Sequence, residues 1–473
     1  MEKYLIFKTV QFNAFLLCCC IFISCESQEL KSHREMIRIL AEKADRINPE
    51  INLYANKKRL AWLQNQRHDD NISATLQHQA VIANELLNAG YTHQAIEQYN
   101  QVLFLIDSLG ITPPEEFITT IHDLLAITYL RFGEENNCLD DHNAESCIMP
   151  IRGSGVHRDK SGASAAIKIY HKLLSINPDE LVYRWLLNIA YMIKGEYPDG
   201  VPSQWLIPQL MPSDSISFPE FPEIAIKVGL DHISLAGGSI VEDFNQDGLY
   251  DIIASSWGVD NQIHYFKNSG AAQFVNLTKN ANLMDITGGL NIVHGDYNND
   301  GLADLFILRG GWFGEDGQHP NSLLKNNGDD SFTDVTIAAN IYSERPTQTA
   351  SWGDFNNDGW IDIFVGNESA EGTYYPSELF RNNGDGTFTE IAQSVGLNII
   401  GFVKGAVWGD INNDGLLDLY VSRLGEPNLL FENSGAEKNW LFKEIASQAG
   451  VTEPLNSFPV WFNTSWVSVK VVV

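Results

Sequence analysis

Between residues 243 and 418 the chain writes one pattern four times, Asp-x-Asn-x-Asp-Gly-x-x-Asp, and a repeated unit of this kind restricts the fold to an array. Its copies are Asp243, Asn245, Asp247, Gly248 and Asp251; Asp296, Asn298, Asp300, Gly301 and Asp304; Asp354, Asn356, Asp358, Gly359 and Asp362; and Asp410, Asn412, Asp414, Gly415 and Asp418. Oxygen side chains at positions 1, 3, 5 and 9, with glycine at 6 for the sharp turn, are what a short loop needs to surround a hard cation. The main-chain carbonyl of position 7 (Leu249, Leu302, Trp360 and Leu416) is expected to add a further ligand. The spacing departs from an EF-hand, whose last carboxylate comes at position 12 between two helices. Here the flanks read as strands: Ala406 to Trp408 leads in, and Leu416 to Val421 leads out. Asp-Gly and Asn-Asp also make plain turns between strands, but four copies in register favour about four Ca²⁺ sites.

A chain of 473 residues implies two or three domains. Its formal charge of −29 excludes nucleic acid as a partner, because phosphate binding needs clustered Lys and Arg. Twelve of the acidic residues are the loop aspartates, so much of that charge has a local origin.

Residues 1–25 read as an export signal: Lys3 and Lys8 flank an apolar run from Phe12 to Ile23, which leads to Phe22-Ile23-Ser24-Cys25. The last four resemble a lipobox, and the apolar run is short of the ~20 residues that span a bilayer. Cleavage with lipid attached to Cys25 is therefore expected, followed by a tether over 26–34, giving an exported outer-membrane lipoprotein on the periplasmic or cell-surface side. Membrane contact would run through that lipid only. Cys18, Cys19 and Cys20 leave with the signal, so Cys138 and Cys147 remain, as a disulfide. The alternative is a metal site of Cys138, His142, Cys147 and His157.

A helical domain is expected over 35–201, with an insertion at 137–162. Apolar residues from His78 to Leu103 keep helical spacing and are broken at Gly90-Tyr91; further helices are expected over Glu115–Phe132, Ala163–Ile176 and Glu180–Lys194. The first pair resembles a tetratricopeptide repeat through its small residues Ala83, Gly90 and Ala95. Stacked pairs of this kind make an α-solenoid, whose surface either packs without a ligand or receives a peptide or protein. A proline-containing linker and first strand follow over 202–235.

The segment 236–473 carries the array. The loops begin at Asp243, Asp296, Asp354 and Asp410, and a second echo keeps the same period: Phe266-Lys-Asn-Ser-Gly270, Leu324-Lys-Asn-Asn-Gly328, Phe380-Arg-Asn-Asn-Gly384 and Phe431-Glu-Asn-Ser-Gly435. Several short strands per unit describe a β-propeller blade. The pattern resembles the FG-GAP/VCBS repeats of integrin-like propellers. With helical repeats ahead of it, the chain is similar to the ASPIC/UnbV (cartilage acidic protein-like) group of lipoproteins. The fold class is thus multidomain, α then β: a tetratricopeptide-like solenoid followed by a propeller of four recognisable blades and a degenerate fifth. That resemblance implies calcium bracing on the face opposite the main ligand surface. Around Trp461 the loop positions degrade, with Asn463, Ser465, Val467 and Val471 where Asp410, Asn412, Asp414 and Asp418 stood, and the array reads as truncated or as closing by association.

No nucleophile elbow, His-Glu-x-x-His or phosphate-binding glycine loop is present. Two functions stay open. One is a binding or adhesion module that presents its propeller face to a protein or glycan. The other is an enzyme or enzyme accessory in polysaccharide handling, with its centre in the propeller channel near His264, His294 or His319. Trp257, Trp312, Trp352, Trp360 and Trp408 would suit carbohydrate stacking if exposed, but Trp352 and Trp408 hold equivalent repeat positions, as blade-core residues do.

Overall fold

A computed structural model describes residues 27–66, 71–139, 145, 149–210, 224–232, 234–369, 372–458, 460–465 and 468–472. Two compact units divide the chain: 52–226 is helical, whereas 1–51 together with 227–473 forms the β unit. Among the described residues no helix is long and apolar enough to cross a membrane.

In the β unit, helix α1 (Gln28–Asp45) is capped by the Ser27 side chain, which accepts from the Leu30 N–H. Its partners lie some 200 residues and more along the chain: Leu40 enters the core formed by Phe244, Ile253, Tyr265, Leu305, Leu324 and Phe332. Ser32 Oγ accepts from the N–H groups of Ile337 and Ala338, and His33 Nδ1 accepts from the Asp334 N–H at 2.9 Å. At its ends Glu29 pairs with Lys325 at 2.6 Å and Lys43 with Glu344 at 2.6 Å. The tether expected over 26–34 is instead helical from Gln28 onward, and the boundary expected at residue 35 moves with it. A helix with the right period for a solenoid belongs to the β unit, because its buried face matches that core.

The helical unit holds α2 (Asn56–Gln64), α3 (Ile72–Asn88), α4 (Thr92–Ser108), α5 (Glu115–Glu134), α6 (Ser161–Ile176) and α7 (Leu181–Lys194), each packed on the next. Gly90, at φ +83°, makes the turn between α3 and α4, and Ala83 and Ala95 are fully buried beside it. Tyr99, Val102, Ile121 and Leu125 fill one core; Ala166, Tyr170, Leu187, Ala190 and Trp205 fill the next. The unit continues past residue 201, since Trp205 is in that core and the Asn188 side chain donates to the Trp205 carbonyl at 2.8 Å. Cys25, Cys147 and the side chain of Cys138 lie outside the described residues, as does 211–223 of the linker.

Four antiparallel four-stranded sheets follow, each a meander in chain order. They are β1 (Ser239–Glu242) to β4 (Phe274–Asn276), with β2 (Asp251–Ala254) and β3 (His264–Asn268); β5 (Asn291–Gly295), β6 (Asp304–Leu308), β7 (Ser322–Asn326) and β8 (Phe332–Asp334); β9 (Thr347–Gly353), β10 (Asp362–Asn367), β11 (Glu378–Asn382) and β12 (Phe388–Glu390); and β13 (Val403–Gly409), β14 (Asp418–Arg423), β15 (Leu429–Asn433) and β16 (Phe442–Glu444). A hairpin of β17 (Trp461–Ser465) and β18 (Ser468–Val472) stands where the fifth unit was expected. First strands lie side by side, β1 with β5, β5 with β9, β9 with β13 and β13 with β17, which makes the β region propeller-like.

The second and third sheets, and the third and fourth, lock through one repeated contact. A Cβ on Gly353 would fall 2.7 Å from the Trp408 ring, and one on Gly295 would fall 3.2 Å from the Trp352 ring. Only glycine lets the indole of the next sheet lie on the strand before it. Trp408 packs on Phe355 and Phe364, and Trp352 on Phe306, so both tryptophans are core residues between sheets.

Candidate cation-binding loops

Each loop closes the hairpin between the first and second strands of a sheet. The residue before position 1 pairs across the ladder with the position 9 aspartate: Glu242 with Asp251, Gly295 with Asp304, Gly353 with Asp362 and Gly409 with Asp418. The lead-out strand thus begins at position 9, two residues later than its apolar run suggests. Positions 4 and 6 carry the turn in left-handed backbone, with φ of +58° at Gln246 and +86° at Gly248, and matching values in the other copies.

Inside the turn the side-chain oxygens gather loop amides. In the third loop Asp354 Oδ1 and Oδ2 accept from the N–H groups of Asp358 and Gly359, Asn356 Oδ1 accepts from Asp358, and Asp358 Oδ1 accepts from Trp360. The first, second and fourth loops repeat this set. The position 9 carboxylate is buried at the loop's base. Asp362 Oδ1 accepts from the Asn382 N–H at 2.8 Å and Oδ2 from the Phe355 N–H at 3.3 Å. Asp304 is bound in the same way by Asn326 and Tyr297, and Asp418 by Asn433 and Ile411.

The electrostatics suit a cation. Burial pushes the Asp304 carboxyl up to about 8, with Asp300 and Asp296 adding repulsion. Asp362 rises to about 7 and Asp418 to about 6, first by burial and then by the aspartates of their own loops. No lysine or arginine among the described residues offsets these three. Three carboxylates and an amide oxygen per loop are a hard, oxygen-only donor set, which fits calcium. In this arrangement the oxygens face the loop amides, and among the described residues no group of three His, Cys, Asp or Glu side chains converges as a metal cage.

The first loop differs from the rest. Lys267 Nζ lies 3.8 Å from Asp247 and 2.6 Å from Asp330, and the Tyr265 hydroxyl donates to Asp251 Oδ2 at 2.8 Å. In the second sheet the equivalent Lys325 turns to Glu29 of α1 instead.

The second echo gives residues whose function its regularity alone did not disclose. Asn382 Nδ2 donates to the Tyr297 carbonyl of the preceding loop at 2.8 Å and to the Ile361 carbonyl of its own at 3.1 Å, while its Oδ1 accepts from Gly384. Asn326 and Asn433 do the same for Phe244 and Ala303, and for Phe355 and Leu417. The clue in the sequence was phase: this asparagine keeps step with the loops.

The histidines occupy three separate settings. His264, on β3, lies against His232; His294, on β5, is 3.6 Å from Glu242; His319, between β6 and β7, is buried against Phe313. Outside the loops the buried carboxylates include Asp334 and Glu368, and Glu368 pairs with the buried Lys404.

Three stretches, 243–307, 296–365 and 354–421, match the FG-GAP-like repeat family. The chain is also similar to cartilage acidic protein 1: 26% identical to the mouse protein (Mus musculus) over 228 residues, 46% of this chain and 34% of that protein. It is 27% identical to the human one (Homo sapiens) over 228 residues, 46% of this chain and 33% of that protein. Against the Xenopus tropicalis protein it is 34% identical over 97 residues, 20% of this chain and 14% of that one. The chain thus spans about a third or less of the length of these relatives.

Proposed function

We propose that this is a calcium-braced binding module: a tetratricopeptide-like solenoid followed by an FG-GAP/VCBS propeller that presents its face opposite the loops to a protein or glycan. FG-GAP-like repeats point to a protein-binding or adhesion-type module. The observation that carries the calcium reading is the position 9 aspartate, buried in every loop and, in the second to fourth, held by backbone N–H groups beside the like charges of its own loop with no lysine or arginine acting on it. A carboxylate so placed is costly unless a cation joins it. Loading would turn loop oxygens from amides toward the ion. The ion would supply positive charge and fix the hairpin ends, with no chemistry of its own.

The same reading includes export, acylation at Cys25, a disulfide between Cys138 and Cys147, and a peptide-receiving surface on the helical unit. The ligand sets comprise the four aspartate–asparagine groups with the carbonyls of Leu249, Leu302, Trp360 and Leu416.

The test is metal analysis of purified protein lacking residues 1–25, with a melting curve in calcium and in chelator. About four ions per chain and a lower melting temperature in chelator are expected, since an ion that binds only the folded state stabilises it by RT ln(1 + [L]/Kd) per site. A melt that ignores chelator, with no ion bound, would return the loops to plain turns.

A further inference from the structure

We infer that the four loops bind cations cooperatively, as one linked series, and that Gln246, Asn299 and Asn357 are the positioning residues that couple them. This rests on the calcium reading above and adds to it a relation between sites.

Each neighbouring pair of loops is joined twice. Position 4 of one loop donates to the position 6 glycine carbonyl of the next: Gln246 Nε2 to Gly301 at 2.8 Å, Asn299 Nδ2 to Gly359 at 3.0 Å and Asn357 Nδ2 to Gly415 at 2.9 Å. The second link runs the other way, from Asn326, Asn382 and Asn433 to the position 2 carbonyls of Phe244, Tyr297 and Phe355. The backbone N–H of these same asparagines holds Oδ1 of the position 9 aspartate of their own loop at 2.8 Å. One loop's turn is therefore fastened to the next loop's glycine and to the residue that aims its buried carboxylate.

The glycine carbonyl belongs to the peptide immediately before position 7, the residue expected to give the main-chain ligand. An ion that fixes one turn fixes the amide at its position 4, which holds the next turn near its binding geometry. The second ion then finds less disorder to remove, and that difference appears as positive coupling. Position 4 supplies no ligand, and Asn299 and Asn357 are exposed, so they can be altered without touching the donor set. Their left-handed backbone, at φ +54° and +53°, is one that glycine adopts freely.

The experiment measures calcium binding by equilibrium dialysis and calorimetry on the chain without residues 1–25. It compares the wild type, the triple variant Gln246→Gly, Asn299→Gly, Asn357→Gly, and the pair Asn299→Gln, Asn357→Gln. The wild type should bind with a Hill coefficient above unity. In the triple variant, which keeps the Asn326, Asn382 and Asn433 links, the stoichiometry should hold while the Hill coefficient falls toward unity and apparent affinity weakens about 5-fold or more. The glutamine pair should regain cooperativity, because glutamine already makes this link at Gln246. Should the triple variant unfold, Asn357→Gly alone must weaken the coupling of the fourth loop and leave the first three linked as in the wild type. Non-cooperative wild-type binding, or a triple variant whose isotherm overlays the wild type, overturns the coupling while the calcium reading stands. No bound ion in any of the proteins overturns both.

Discussion

At residue scale the β unit contains a cation that water does not reach. The Lys404 side chain is fully buried, paired with Glu368, bonded to Gln348 at 2.8 Å and set 3.4 Å from the Trp312 ring centroid and 3.9 Å from that of Phe402. Glu368 Oε2 also accepts from the Trp312 N–H at 2.6 Å, so the pair holds the loop after β6 in place. Burial drives Lys404 down to about 8 and Glu368 upward. Lys404→Met leaves a buried carboxylate alone and should cost about 3–5 kcal/mol in urea unfolding, whereas Lys404→Met with Glu368→Gln should recover most of it. A double variant as unstable as the single would mean that packing against Trp312, rather than charge, is what Lys404 supplies. His319 gives a pH prediction. Burial, then Arg309 and Lys43, push it down to about 4, against pulls from the Asp316 backbone and Glu344. The unfolded chain takes up this proton first, so the contribution is complete above about pH 6.5 and lost as pH falls toward 4, about 3 kcal/mol in all. Asp334, wholly buried and pushed up to about 6, slopes the opposite way. The readout is therefore the difference between wild type and His319→Gln, which should shrink as the pH drops from 6.5 to 4; a constant difference would count against it.

At the scale of elements, α1 is where sequence and structure part. Its first residues, 28–34, read as a tether, and its partner was not legible either, because a helical stripe states that a face is buried and not what covers it. Leu40 settles the matter by entering the core with Phe244 and Phe332. Leu40→Ala should destabilise the β unit by about 2–5 kcal/mol, read by denaturant unfolding followed through Trp352 and Trp408. If those tryptophans report no change, α1 is an ornament on the sheet edge. The strands were legible because each sheet repeats one phase from Asp243 onward, and the turn chemistry of Asp-Gly marks the first hairpin of every sheet. Inter-sheet links were not legible. Gln246, Asn299 and Asn357 look like ordinary turn residues until their amides are seen to end on Gly301, Gly359 and Gly415. A pattern within one repeat shows what each unit does for itself, and contacts between units leave only a weak preference for an amide at one position.

At the scale of the whole molecule, the chain combines two units held by different forces. The helical unit depends on apolar packing around Tyr99, Tyr170 and Leu187, and its side chains include none of the repeated acidic loops. The β unit gathers twelve loop aspartates, each loop placing three carboxylates within a nine-residue turn. Like charges so close repel, and a divalent ion in each loop removes that cost only for the folded β unit. Calorimetry of the full chain without residues 1–25 should therefore show two transitions, of which calcium raises one. At a free calcium concentration of 100 Kd, each occupied site adds about 2.7 kcal/mol to the β unit. The far-UV signal of helix loss from α2 to α7 should stay at the same temperature with calcium or chelator, while the share of tryptophan fluorescence that comes from the β unit, Trp352 and Trp408 among it, moves with the ion. A calcium shift shared equally by both signals would show that the units unfold as one, and a shift in the helical signal alone would place the ions outside the loops.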